Sequence, residues 1–200
     1  METITYLNLK VEGTPITKVL KLDIENGVDT YGKAYVEGEV DYTEGNQYIQ
    51  RAQAQTQVTI STSAVGQPQK LFVGIISSAK VRKENEYAVL QIALDATAAT
   101  LNKEKQNASF QKTGSTYEEI VTKSMKGKAI IDMQASDHAI GSLIMQYDET
   151  PWKFAKRMAS TLGAPICANI DTEIPTVTIG IPNTGKNYEL SDVEYGYESD

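Results

Sequence analysis

Apolar and polar residues alternate along most of the first ~95 positions, the period-2 pattern of strands with one buried face. In Val19–Glu25, Leu20, Leu22 and Ile24 fall on one side and Lys21, Asp23 and Glu25 on the other, with a turn signal at Asn26-Gly27. The same alternation recurs in Leu7/Leu9/Val11, Ala34/Val36/Val40, Val58/Ile60, Leu71/Val73/Ile75 and Ala88/Leu90/Ile92/Leu94. Gly13-Thr14-Pro15, Glu44-Gly45-Asn46 and Gly66-Gln67-Pro68 punctuate the runs as turns, and no helix is read in this stretch. Roughly six or seven strands in so little chain predict a small barrel or sandwich.

Alternation fails at Asp95–Thr100, and a charged polar stretch, Asn102–Asn107, follows. A domain boundary is placed there, dividing the chain into residues 1–97 and 98–200. Ser115 or Thr116, with Glu118 or Glu119 three residues on, forms a capping box, and Tyr117, Ile120, Val121 and Met125 follow at helical spacing. This predicts a helix over about 116–126. A second helix is predicted over about 151–162: Thr150 is its N-cap, Pro151 its first residue and Gly163 its stop. Its buried face carries Trp152, Ala155, Ala159 and Leu162, with Phe154 and Met158 beside it. Strand-like pieces at Ile166–Ile170 and Thr176–Ile181, broken by Pro165, Pro175 and Pro182, make the second half α+β.

The 200 residues are enough to bury a core without staples. A net charge of −7 argues against binding nucleic acid through its phosphates. One Cys and one His exclude a Cys/His zinc site and an intrachain disulfide, and no cofactor is expected. The opening segment lacks signal-peptide features, which predicts cytoplasmic synthesis, and no apolar run reaches the ~18 residues of a membrane helix. Five acids and no base fall in Glu189–Asp200, and the abrupt end after Tyr195-Gly196-Tyr197 suggests a fragment of something longer.

Catalytic motifs are weak. Gly180–Asn187 has P-loop-like glycine and lysine spacing, but Asn187 stands where a Ser or Thr is needed and no long helix follows; a β-hairpin is the better reading. His138, beside Asp137, lies in a polar loop without a nucleophile elbow, and Cys167 sits in an apolar strand where a thiol is inert. The adjacent pairs Glu118/Glu119 and Asp148/Glu149 do not face one another across a cleft. Six lysines lie between Lys103 and Lys128 against three glutamates, a solvated face or a contact for an acidic partner. Eleven Tyr against three Phe and one Trp fit either strand packing or a binding surface such as that of a carbohydrate module or adhesin.

The stretch Gln146-Tyr147-Asp148-Glu149-Thr150-Pro151-Trp152-Lys153-Phe154-Ala155-Lys156-Arg157-Met158 resembles a signature of VgrG spike proteins of type VI secretion and of late-control D proteins of contractile-tailed phages. Upstream, Phe110, Gln111 and Thr113, followed by Ile120 and Val121, are similar to a second element of those families in the same order and spacing. The resemblance implies that residues 1–97 form a tube-like β-barrel and that 98–200 belong to the hub of a contractile tail or injection-system baseplate. The further barrel, neck and spike of those families would lie beyond Asp200. It also implies three copies in a ring, tail-tube, spike and baseplate proteins as partners, residence in a virion-like tail, and no catalysis. Trp152 and Phe154 would anchor the second helix, Glu149 would favour its dipole, and Arg157 would pair with a carboxylate on a neighbouring element. The alternatives are a carbohydrate-binding or adhesin module and, on scattered carboxylates and His138 alone, a cell-wall hydrolase.

Overall fold

The computed structural model describes residues 8–51, 56–63, 68–84 and 87–181. Leu7, the turn residues Gly66 and Gln67, the stretch from Pro182 that includes most of the hairpin reading, and the acidic tail lie outside the described residues.

The first half is one antiparallel sheet of β1 (Leu9–Glu12), β2 (Lys18–Glu25), β3 (Lys33–Val40), β4 (Gln57–Thr62), β5 (Gln69–Lys83) and β6 (Ala88–Ala96). Their order is β1-β4-β5-β6-β3-β2, so the two edge strands are consecutive in the chain. A flat six-stranded sheet would hold its edges about 24 Å apart. The link Gly13–Thr17 spans at most about 20 Å fully extended, and it folds back on itself, with the Thr14 hydroxyl donating to the Val11 carbonyl. The sheet therefore curls into a half-barrel that brings β1 and β2 into contact. Its inner face carries Val36, Val58, Ile60, Phe72, Ile76, Leu90, Ile92 and Leu94, all buried.

Two sequence expectations fail here. Glu44-Gly45-Asn46, read as a turn, is the middle of a helix, α1 (Tyr42–Arg51), in a stretch where no helix was expected. Asp41 caps it by accepting the amides of Thr43 (2.8 Å) and Glu44 (3.1 Å). Gly45 serves close packing: a Cβ there would lie 2.7 Å from Val40 Cγ2 and 3.0 Å from Val81 Cγ2. The second failure is in β5, where the inward residues are Phe72 and Ile76, whereas Leu71, Val73 and Ile75 face the other side. Both faces are covered there, so the run has no single buried stripe. Along β2 burial fades from Val19 to the exposed Ile24, as an outer strand requires, with a bulge between Val19 and Lys21.

Beyond β6 the chain turns into a 3-10 helix (Thr97–Asn102) and then β7 (Gln106–Phe110), α2 (Tyr117–Met125), β8 (Ile130–Met133), β9 (Ile144–Glu149), α3 (Pro151–Thr161), β10 (Ile166–Ala168) and β11 (Thr176–Ile179). β7 and β9 form a two-stranded ribbon; β10, β11 and β8 form a second sheet in which β11 runs parallel to β8. Thr116 caps α2 and Thr150 caps α3, each accepting the amide three residues on. A second hydrophobic cluster gathers Ile120, Val121, Met125, Trp152, Phe154, Met158, Ile166, Val177 and Ile179.

The two clusters are tied by the segment after β10. β6 ends opposite Gly74, leaving the amide of the fully buried Val73 facing where the strand would have continued. The Ile170 carbonyl accepts it at 2.6 Å. On either side, Asp29 N–H donates to Ile166 O (2.8 Å), the Thr97 hydroxyl to Thr172 O (3.1 Å) and Gln57 Nε2 to Glu173 O (3.3 Å), and Lys70 Nζ pairs with Glu173 (2.6 Å). The Ile170 side chain lies against Gly32, whose φ of +77° and missing Cβ make room for the Ile170 methyl.

Gly32→Ala should therefore cost about 1–3 kcal/mol of stability for the left-handed backbone alone, and Ile170→Ala about 2 kcal/mol. Measured by urea unfolding, the double variant should lose less than the two single losses combined, because the smaller side chain relieves the clash. Additive losses would contradict the contact.

Candidate functional site

The residues of the two sequence motifs meet where the β7–β9 ribbon turns into α3. Antiparallel pairing sets Phe110 opposite Ile144 and Ala108 opposite Gln146. Phe110 and Phe154 stack at 5.4 Å between centroids, joining the ribbon to the helix. Trp152 is buried and meets the Tyr31 ring edge-on at 5.9 Å, reaching back to the β2–β3 turn of the half-barrel. Met158 is buried among the same residues, and Ile120 and Val121 are fully buried on α2.

The polar members of the motif fasten the turn between β9 and α3. Gln146 is almost completely buried and donates through Nε2 to the Glu149 carbonyl at 3.0 Å. Thr150 works in two directions, accepting the Lys153 amide at 3.2 Å and donating its hydroxyl to Asn102 Oδ1 at 2.8 Å. Arg157 forms a two-point pair with Glu149, Nε to Oε1 at 3.2 Å and NH2 to Oε2 at 2.8 Å. The guanidinium also donates to the Met145 carbonyl at 2.7 Å and lies 5.2 Å from the Phe154 centroid. At the bulge between β7 and β9, Asp148 takes a left-handed φ of 49°, its amide donates to Asn107 Oδ1 (2.8 Å), and its carboxylate pairs with Lys105 (2.7 Å).

Three motif residues stand outside this packing. Gln111, Thr113 and Tyr147 are exposed; Thr113 contributes its backbone carbonyl, which accepts the Gly141 amide at 3.0 Å. Sequence reading missed Asn102 and Asn107, which are spent on the bonds above, and Asp137. The Asp137 carboxylate accepts the Tyr117 amide at 3.0 Å and so caps α2 from twenty residues downstream. Asp-Asn spacing relative to a helix start cannot reveal such partners, because the fold brings them in from distant turns.

The candidate reactive residues are dispersed. His138 is exposed, with its ring tilted against Tyr117 at 5.2 Å and its amide bonded to Asp137. Cys167 lies half-buried in β10; burial, and then the charge of Asp29, push its thiol above the usual value. Among the described residues, no group of three or more His, Cys, Asp or Glu side chains is placed to hold a metal ion, and no helix is long and apolar enough to cross a membrane.

No protein-family model and no curated protein sequence matches the chain. Solved structures do. The fold is similar to the c3393 protein of E. coli, a component of the type VI secretion system described as structurally similar to the T4 bacteriophage tail proteins gp27 and gp5; identity is 18%, the TM-score is 0.60, and the match covers 90% of this chain and 50% of that one. A tail protein from Neisseria meningitidis matches at 11% identity and a TM-score of 0.60 over 90% of this chain and 52% of that one. A 43 kDa tail protein of prophage MuSo2 from Shewanella oneidensis matches at 14% identity and a TM-score of 0.57 over 85% of this chain and 52% of that one. The chain thus spans about half the length of each of these three structures, and at these identities the likeness is one of fold.

Trp152→Ala should destabilise the protein by about 3–5 kcal/mol, through lost transfer energy and the cavity left between α3 and Tyr31, whereas His138→Ala should change stability by less than about 0.5 kcal/mol. Thermal or urea unfolding of both variants checks this. Alkylation of Cys167 at mildly alkaline pH should be slower in the folded protein than for free cysteine and should recover in urea. Fast reaction of the native protein would contradict the burial at β10.

Proposed function

We propose that this chain is the N-terminal portion of a structural hub in a contractile tail or injection-system baseplate, joining the tail tube to a spike. The observation that carries the reading is a coincidence of two independent facts. The motif residues Gln146–Met158 gather into one packed turn, and the whole described chain has the fold of tail proteins across nearly all its length. The division near residue 97 belongs to the same reading: the tube-like part and the hub part each have their own hydrophobic cluster.

The role is architectural, without catalysis. The motif's charged and polar side chains serve capping, ion pairing and turn fastening. Three copies of the complete protein form a ring that adapts a six-fold tube to a three-fold spike, with tube, spike and baseplate proteins as partners. A closed three-fold ring needs complementary surfaces on opposite sides of each protomer. The protein is made in the cytoplasm and resides in the assembled particle. A carbohydrate-binding role draws less support: Tyr31, Tyr35, Tyr48 and Tyr117 are engaged in ring packing, hydrogen bonding or burial, and the exposed Tyr42, Tyr87 and Tyr147 sit on three different elements or turns.

Electron microscopy of the assembled particle tests the reading. Three copies at the junction of tube and spike are expected. An intact particle lacking the protein at that junction, or a two-fold dimer of the complete protein in light scattering, would overturn it.

A further inference from the structure

The small sheet of the second half has one edge left open. β11 is its middle strand, so the residues after Ile181 cannot return onto β11 as a hairpin. The outer edge of β10 is spent on the half-barrel. At alternate positions the carbonyls of Ile166, Ala168 and Ile170 accept from the Asp29 amide (2.8 Å), Asn26 Nδ2 (3.5 Å) and the Val73 amide (2.6 Å). β8 is different. Its Ile130 amide and the Gln134 amide just beyond it donate to the carbonyls of Pro175 (2.9 Å) and Ile179 (2.8 Å), at the two ends of β11. Pairing alternates along a strand, so Ile131 and Met133 turn both N–H and C=O to the outside. Among the described residues none of these groups has a hydrogen-bond partner, and β8 carries no proline or bulge to blunt the edge.

What the edge admits is set by its two faces. Ile131 and Met133 pack against the second hydrophobic cluster, and Asp132 points to the other side, where its carboxylate accepts from the Thr178 hydroxyl (3.1 Å) and from Gln134 Nε2. A neighbouring strand must therefore be apolar at alternate positions and polar between them. Residues 182–200 lie outside the described residues. They open with the turn-forming Pro182–Asn187 and continue as Tyr188-Glu189-Leu190-Ser191, which has that alternation. β11 and β8 run parallel with Ile179 beside Met133, so the chain leaves β11 at the end of β8 where an antiparallel strand would start. The far side of β8 is two strand spacings from β11, about 10 Å, and residues 182–187 span up to about 20 Å.

We infer that Tyr188–Ser191 add to the outer edge of β8 as an antiparallel fourth strand, Tyr188 beside Met133 and Leu190 beside Ile131. The two apolar side chains extend the cover of the second hydrophobic cluster, and the backbone groups of Ile131 and Met133 gain partners. The same register sets Glu189 opposite Asp132, a like-charge pair that weakens the strand without barring it. The edge thus docks the chain's own continuation, not a strand of another protein. This inference stands on the sheet topology and does not require the hub reading.

Amide hydrogen exchange of the whole chain, read by NMR, tests it. Slow exchange is expected at Ile131 and Met133, at a rate independent of protein concentration. Leu190→Pro removes the donor to the Ile131 carbonyl and should speed both amides by about tenfold or more. The Asp132 amide, which faces β11, should stay protected in that variant and so report an intact fold. Glu194→Pro, outside the strand, should leave Ile131 and Met133 unchanged, and Glu189→Lys should slow them further. Fast exchange at Ile131 and Met133 in the unsubstituted chain, slow exchange that Leu190→Pro does not touch, or an equal effect of Glu194→Pro would overturn the inference. So would protection that rises with concentration alongside dimers in light scattering, which would assign the edge to a second copy.

Discussion

The amide of Val73 is buried, and β6 leaves it without a strand partner by turning away at Ala96. A buried N–H with no acceptor costs about 1–3 kcal/mol, so the sheet is incomplete until the Ile170 carbonyl arrives. That carbonyl belongs to the second half of the chain. One backbone bond therefore makes the last rung of the half-barrel depend on the α+β part. The neighbouring bonds from Asp29, Thr97 and Gln57, and the seat of Ile170 on Gly32, fix the same segment in position.

The motif turn at the other end of the second half follows the same logic of satisfied backbone. α3 starts where Thr150 can cap it, and Thr150 is itself held by Asn102, the last residue of the 3-10 helix that leads out of β6. Gln146 fills an inward position that an aliphatic side chain would occupy more cheaply, and it bonds the Glu149 carbonyl just before the cap. Arg157 clamps Glu149 and Met145 in turn. Because the pair is partly solvated, it adds about 0.5–1 kcal/mol; its larger effect is to fix the angle between ribbon and helix.

How much of this could be read from sequence differs by element, for physical reasons. α2 and α3 were legible because their caps and stop residues are local: Thr116, Thr150, Pro151 and Gly163 sit at the helix ends themselves. α1 was hidden by Gly45, which resembles a turn residue but is there to let the helix approach Val40 and Val81; the pattern of Asp41 with Glu44 three residues on was the available signal. β5 misled because both its faces are covered. β8 was missed because its parallel partner β11 lies more than forty residues away and nothing local marks it. The Ile170 bond and the Asp137 cap are products of tertiary structure, and short-range patterns hold no trace of either. Within the motif, the residues could be placed on a strand end and a helix, but the inversion that buries Gln146 and exposes Tyr147 could not be inferred from residue type.

The segment around Ile170 joins the half-barrel to the α+β part. Joined through this segment, the half-barrel and the α+β part are expected to unfold as one cooperative unit. Native-state hydrogen exchange of the Val73 amide tests that most directly. The amide should exchange as slowly as those of Leu90 and Ile92 in the middle of the sheet, by global unfolding. Exchange much faster than theirs, in step with the amides of residues 169–173, would show that the segment opens by itself and would contradict the account.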